Sequence, residues 1–201
     1  ESELGRIPNG WEVVSIDRIF EVLGGGTPKT SNPDFWGGEI PWFSVVDAPT
    51  EANVFVIRTE KSITELGLNN CSTRLLRKGT TIISARGTVG KLAIVAAPMA
   101  MNQSCYALVG KHGDYFTYYS TKRAVATLKQ NTHGAVFDTI TRDTFKTVEA
   151  ILPSASVCKA FELKVAPLMQ QIENHLQQSQ TLTSLRDALL PKLISGQLRL
   201  A

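Results

Sequence analysis

The segment Gly87-Thr88-Val89-Gly90-Lys91 has the late glycine and lysine of a phosphate-cradling loop. That loop also needs a glycine where Ala85 stands and a serine or threonine where Leu92 stands, so the segment reads as a tight turn between two strands. Asn32-Pro33-Asp34-Phe35 is one residue away from the Asn-Pro-Pro-aromatic motif with which DNA amino-methyltransferases grip a flipped base. Asp34 replaces the second proline, no glycine-rich cofactor loop follows a first strand, and Asn-Pro-Asp is an ordinary turn signal. Pro33-Asp34 with Glu39-Ile40-Pro41 imitates the carboxylate pair of a metal-dependent nuclease, but Pro41 occupies the place of the lysine. His112, His133 and His175 are far apart, and none has a cysteine or acidic neighbour at metal-ligand spacing. Ser84 and Ser104 lack the Gly-x-Ser-x-Gly elbow of a hydrolase. The chemistry left to the chain is binding, with no enzymatic equipment of its own.

The elements that would position binding residues follow from the punctuation. Through the first 150 residues, Gly, Pro and Asn interrupt short segments rich in β-branched and aromatic residues, a pattern of strands and loops. Trp11-Glu12-Val13-Val14 reads as a strand entering a short helix capped by Ser15, with Asp17 in its first turn and Gly24-Gly25-Gly26 at its end. Further strands are expected over residues 40–45, 80–84, 91–95, 104–109 and 147–152. Phe116, Tyr119, Ala124, Val125 and Leu128 have helical spacing across residues 115–129. After Pro153 glycine disappears until Gly196, and apolar residues recur in steps of three and four from Leu168 to Leu193. Because a proline ring fits only the first turn of a helix, Pro167 predicts a short helix over residues 155–165 and a long one from Pro167 to about Leu190. Its 24 residues would span roughly 36 Å. Its narrow apolar stripe, flanked by polar residues, predicts pairing with another helix, with packing on its own domain as the alternative. The expected domains are 1–153 and 154–201, in an α+β fold.

Composition permits this reading without choosing a partner. The chain has 201 residues, 43% hydrophobic and 19% charged, enough to bury a core. Its net charge is +3. Residues 1–150 hold 16 Lys and Arg against 15 Asp and Glu, so a nucleic-acid surface would have to be a local cluster. Three cysteines without a Cys-x-x-Cys pair speak against a disulfide framework and a structural zinc site, and suit a reducing cytoplasm. The longest apolar run, Leu92 to Met101, contains Pro98 and is too short to cross a membrane. The start, Glu1-Ser2-Glu3-Leu4-Gly5, has no signal-peptide character and no initiator methionine, as expected of an excised fragment.

In order along the chain stand Ile7-Pro8-Asn9-Gly10-Trp11-Glu12, then Gly25-Gly26-Thr27-Pro28, then Phe35-Trp36-Gly37-Gly38-Glu39-Ile40-Pro41-Trp42. Gly79-Thr80-Thr81-Ile82-Ile83-Ser84-Ala85-Arg86-Gly87-Thr88-Val89-Gly90, Met101-Asn102-Gln103, Leu152-Pro153 and the ending from Leu185 to Leu198 follow. Each motif is weak alone, but their order resembles one half of a type I restriction–modification specificity subunit, a target-recognition domain followed by its helical spacer. The residues after Pro153 depart from the family's Pro-x-x-x-Glu-Gln start of the spacer. The usual subunit also has two recognition domains and two spacers, where this chain has one of each.

The resemblance implies a β-rich DNA-recognition domain and a C-terminal helix that pairs as an antiparallel coiled coil, with the spacer as a ruler close to one turn of B-DNA. It implies a non-catalytic prokaryotic cytoplasmic protein that reads one half of a bipartite site in double-stranded DNA. Its partners would be modification (methyltransferase) subunits and a restriction (translocase and nuclease) subunit. S-adenosylmethionine, ATP and Mg would belong to those partners, with no cofactor and no metal in this chain. The alternative is a protein–protein scaffold that uses the helices without DNA readout.

Base reading calls for Arg, Lys, Asn or Gln on loops held by a rigid scaffold. Lys29, Thr30 and Ser31 follow a glycine run that allows close approach to phosphate. Arg86, Thr88 and Lys91 stand on a turn after a strand, and Asn102 and Gln103 form an amide pair suited to an adenine edge. Asn131 and His133 occupy a polar loop after a helix. Each of these also fits a bland role as turn, salt bridge or cap. Trp36 and Trp42 read as packing residues. Leu168, Ile172, Leu176, Leu182, Leu185 and Leu189 are the expected helix-pairing positions, with His175 and Ser179 near the seam.

Overall fold

The computed structural model describes residues 7–50, 53–131 and 139–198. Among these, the segments between glycine and proline breaks form ten strands: β1 (Glu12–Ser15), β2 (Phe20–Gly24), β3 (Trp36–Phe43), β4 (Phe55–Val56), β5 (Lys61–Ile63), β6 (Thr81–Ser84), β7 (Leu92–Val95), β8 (Ala100–Met101), β9 (Cys105–Gly110) and β10 (Glu149–Leu152). The helices are α1 (Glu65–Asn69), α2 (Asp114–Asn131), α3 (Arg142–Thr147) and α4 (Ala155–Ile194).

A five-stranded sheet in the order β2-β9-β6-β7-β4 is the centre, with a three-stranded sheet β5-β3-β8 and a β1-β10 pair beside it. Successive residues of a strand face opposite sides, and β6 and β9 are apolar on both. Ile83 and Leu108 face a core with Ile16, Ile19, Phe20, Val125 and Phe145. Ile82 and Ala107 face a second core with Phe43, Val56, Leu76 and Met101. Helices α2 and α3 therefore contribute to one face and β3 and β8 to the other, which makes the fold α+β.

Two local expectations are corrected. The helix expected after Ser15 is only a 3-10 turn, Ile16–Arg18, without a side-chain cap from Ser15, and the chain then enters β2. Phe20 explains the switch, since as a strand residue it is buried with its ring edge-on to Phe145, centroids 5.5 Å apart. The break expected at Pro167 is also absent, because α4 is one helix through Pro167 and Pro191. Pro167 and Leu163, four residues before it, are both exposed, so the carbonyl left without an amide donor lies on the solvent side, where water can satisfy it.

On α2 the buried residues include Thr117, Tyr118, Thr121, Ala124 and Val125, while Tyr119 is exposed. The two buried threonines return their hydroxyls to the chain four residues back, Thr117 to Gly113 at 2.7 Å and Thr121 to Thr117 at 2.8 Å.

The chain divides into two compact units, Glu1–Val165 and Ala166–Ala201. The change of character at Pro153 falls at the junction of β10 and α4. The first unit extends past it because the start of α4 packs there: Cys158 is buried, and the Phe161 ring lies edge-on to Phe116 and Tyr119 at 6.4 and 6.1 Å.

Glu162 completes that attachment. Its Oε1 accepts the Phe116 amide at 2.7 Å, and a Cβ on Gly113 would stand 2.2 Å from the same oxygen. The free amides of a helix's first turn favour such an acceptor. Burial pushes the Glu162 carboxyl above the usual carboxylate range, with the amides of Phe116 and Tyr115 pulling it back. A carboxyl raised in the folded state contributes stability that is fully present below its unfolded pKa and lost as pH rises through the folded one. Wild-type stability should therefore decline over the window just above the ordinary glutamate pKa. Glu162→Gln keeps a neutral acceptor in place and should flatten that part of a melting-temperature profile. Glu162→Ala also removes the titrating group, so it should flatten the profile likewise and cost about 1 kcal/mol on the low-pH side of that window and less above it. A Gln variant whose profile parallels wild type would refute this role.

Candidate nucleic-acid interface

The register of the central sheet gathers loops distant in sequence at one edge. Gly24 pairs with Tyr106, and Ser84 with Cys105, so the ends of β2 and β6 meet the start of β9. The start of β7 lies beside them, since Ile83 pairs with Leu92. Residues 25–32, 85–91 and 102–104 therefore emerge together.

The loop after β2 is fixed from below. The Gly26 amide donates to the Met101 carbonyl at 3.0 Å. A Cβ on Gly25 would stand 1.9 Å from the Asn102 carbonyl oxygen, so only glycine fits. Trp42 Nε1 donates to the Gly26 carbonyl at 3.0 Å and Trp36 Nε1 to the Lys29 carbonyl at 3.4 Å. The two indoles pack edge to face, 5.1 Å between centroids. Both tryptophans thus pack, as expected, and they also hold the loop that presents Lys29, Thr30 and Ser31, all exposed.

The turn between β6 and β7 is stitched by Ser84. Its hydroxyl donates to the Thr88 carbonyl and accepts the Lys91 amide at 2.8 Å, while its carbonyl accepts the Gly90 amide at 2.9 Å. Gly87 and Gly90 take positive φ values of 74° and 80°. Arg86, Thr88 and Lys91 are left exposed on this closed turn.

At the start of β9, Asn102 Oδ1 accepts the Ser104 amide at 3.1 Å, an Asx turn, and the Asn102 amide donates to Phe43 at 2.9 Å. Asn102 thus shapes the turn, and Gln103 stands exposed beside it, its Oε1 accepting a hydrogen bond from the Thr27 hydroxyl. Eight of the ten expected DNA-contacting residues share this edge. Asn131 closes α2, and its side chain and all of His133 lie outside the described residues.

Arg142 is not among the residues expected from the sequence pattern. The Ile140 amide donates to the Ala85 carbonyl at 2.9 Å and Arg86 bridges Thr139, which brings the start of α3 to the same edge. The exposed Arg142 guanidinium lies 3.8 Å from the position of a Cβ on Gly24. Thr141 and Thr144, a capping box, mark the helix start that carries it.

Chemically, this edge offers guanidinium, ammonium, amide and hydroxyl donors on stiff backbone, which suits base edges and phosphates. On the second unit, Leu168, Ile172, Leu182, Leu185 and Leu189 are exposed and Leu176 is half-buried. No helix among the described residues is long and apolar enough to cross a membrane.

The family model of the type I restriction modification DNA specificity domain matches residues 8–182. The MjaIX specificity subunit of a type I restriction enzyme from Methanocaldococcus jannaschii is 33% identical over 186 residues, 90% of this chain and 43% of that protein. The HindI specificity subunit from Haemophilus influenzae is 26% identical, over 96% of this chain and 42% of its own length. The chain thus spans less than half of either relative. It shares its fold with the type I restriction–modification S subunit of M. genitalium, at TM-score 0.66 and 16% identity over 92% of this chain and 46% of that one. The HsdS subunit of Thermoanaerobacter tengcongensis gives TM-score 0.59 and 20% identity, over 98% and 48%. With the family model covering most of its length and a relative a third identical across nine-tenths of it, the chain belongs to the type I restriction modification DNA specificity domain family.

Proposed function

We propose that this chain is a non-catalytic reader of double-stranded DNA, recognising one half of a bipartite site within a type I restriction–modification complex of the prokaryotic cytoplasm. The observation that carries the reading is the convergence of Lys29, Thr30, Ser31, Arg86, Thr88, Lys91 and Gln103 on one sheet edge whose loops are fixed by backbone bonds. Modification subunits would supply methyl transfer from S-adenosylmethionine, and a restriction subunit would supply ATP- and Mg-dependent translocation and cleavage. The exposed leucines of α4 would pair antiparallel with a second helical spacer, placing two recognition domains on one duplex.

Selection from a random duplex library, with the chain bound to a modification subunit, tests the reading. An enriched inverted repeat with a fixed spacer supports a symmetric pair of readers, and a single half-site supports one half of a two-domain subunit. Arg86→Ala should relax the preference at one position and weaken that site by about 1–3 kcal/mol. No enrichment at low salt would replace DNA reading with the scaffold role. Pairing is tested separately: Leu176→Asp with Leu182→Asp should reduce the solution mass of the chain to that of a monomer while its thermal transition persists. An unchanged mass would remove the pairing.

A further inference from the structure

Beside the sheet edge, α2, the β6–β7 turn and the residues Pro49, Thr50 and Asn53 line an open groove of about 680 Å³. Its rim carries Lys91, Lys122 and Lys129 together with Thr50, Asn53 and Thr88, and no acidic side chain lines it among the described residues. The turn is seated directly on the helix, since a Cβ on Gly90 would stand 2.9 Å from Val125 Cγ1 and 3.9 Å from Lys129 Nζ. Lys122 and Lys129 are seven residues apart and so share one face of α2, about 10 Å apart along its axis.

We infer that this groove holds the phosphodiester backbone of one strand flanking the bases read at the sheet edge, with Lys122 as a contact that positions the duplex without reading sequence. The inference rests on the DNA reading proposed above. Two features select a duplex flank over a free anion. The groove is continuous with the reading edge through Thr88 and Lys91, and its lysines are spread over α2 and the β6–β7 turn, where a compact anion would call for a closed cluster.

The test measures the affinity of wild type and Lys122→Ala for the selected duplex across a salt series, in the assembly used for selection. The neutralised phosphate predicts that Lys122→Ala weakens every duplex by the same factor and lowers the slope of log affinity against log salt by about one, with base preference unchanged. Trimming the duplex on one side of the half-site, and not on the other, should abolish the difference between the two proteins. Lys122→Glu should give a larger loss with the same dependence on the flank, and equal melting temperatures exclude a folding defect. Equal slopes, or a difference that survives trimming on both sides, would overturn the groove's role while leaving sequence reading intact. Wild type that binds no duplex at low salt would overturn the DNA reading and this inference together.

Discussion

Ile82 and Ile83 are neighbours on β6 and both are fully buried. Adjacent strand residues face opposite ways, so this pair requires cover on both faces of the central sheet. The helices α2 and α3 supply one cover and the three-stranded sheet the other, and each element's apolar residues are chosen by the face it meets. With both faces closed, a large partner can approach the middle strands only at their ends. The ends of β2, β6, β7 and β9 are where the glycines and exposed cations lie. Core packing and the placing of the candidate binding edge are thus one constraint seen twice.

Binding at loop ends loses affinity if the loops must be ordered on contact, by roughly 0.5–1.5 kcal/mol per immobilised long side chain and more for backbone. Here the backbone is ordered beforehand by neutral donors. Two indoles hold the first loop, and the Ser84 hydroxyl closes the second. Exposed ion pairs would fix the loops only weakly, by at most about 1 kcal/mol each. Neutral anchors also leave the charge of Lys29 and Arg86 for a ligand. The one bidentate ion pair described, Arg77 with Asp114 at 2.6 and 2.7 Å, ties the start of α2 to the residues before β6.

The strands β6, β7, β9 and β10 and the helix α2 were legible because turn residues bound them closely. Segment β2 was not, since Ser15 and Asp17 imitate a helix start and only the distant Phe145 makes Phe20 a strand residue. Pro167 misled for a related reason: a missing hydrogen bond is tolerable on the exposed side of a helix, and exposure is a tertiary property. The individual candidate residues were legible as polar groups on glycine turns. Their assembly depends on Gly24 meeting Tyr106 and Ser84 meeting Cys105, pairings no local pattern encodes. Arg142 was missed on the same account, because the bond between Ile140 and Ala85 delivers it.

The apolar stripe of α4 sets the complementary constraint. Leu168, Leu182, Leu185 and Leu189 expose large side chains, each worth about 1.5–3 kcal/mol on full burial. Association itself costs on the order of 4–15 kcal/mol, so the proposed pairing through a seam of this size would be of moderate strength. In the proposed pair, each recognition edge contributes a half-site, and the first contact with DNA raises the effective concentration of the second. By linkage, a bipartite site must then strengthen helix pairing by the same factor as pairing strengthens DNA binding. In such a pair a moderate seam would favour specificity: a site with one wrong half would forfeit this mutual gain, which a very tight pair would already possess without DNA.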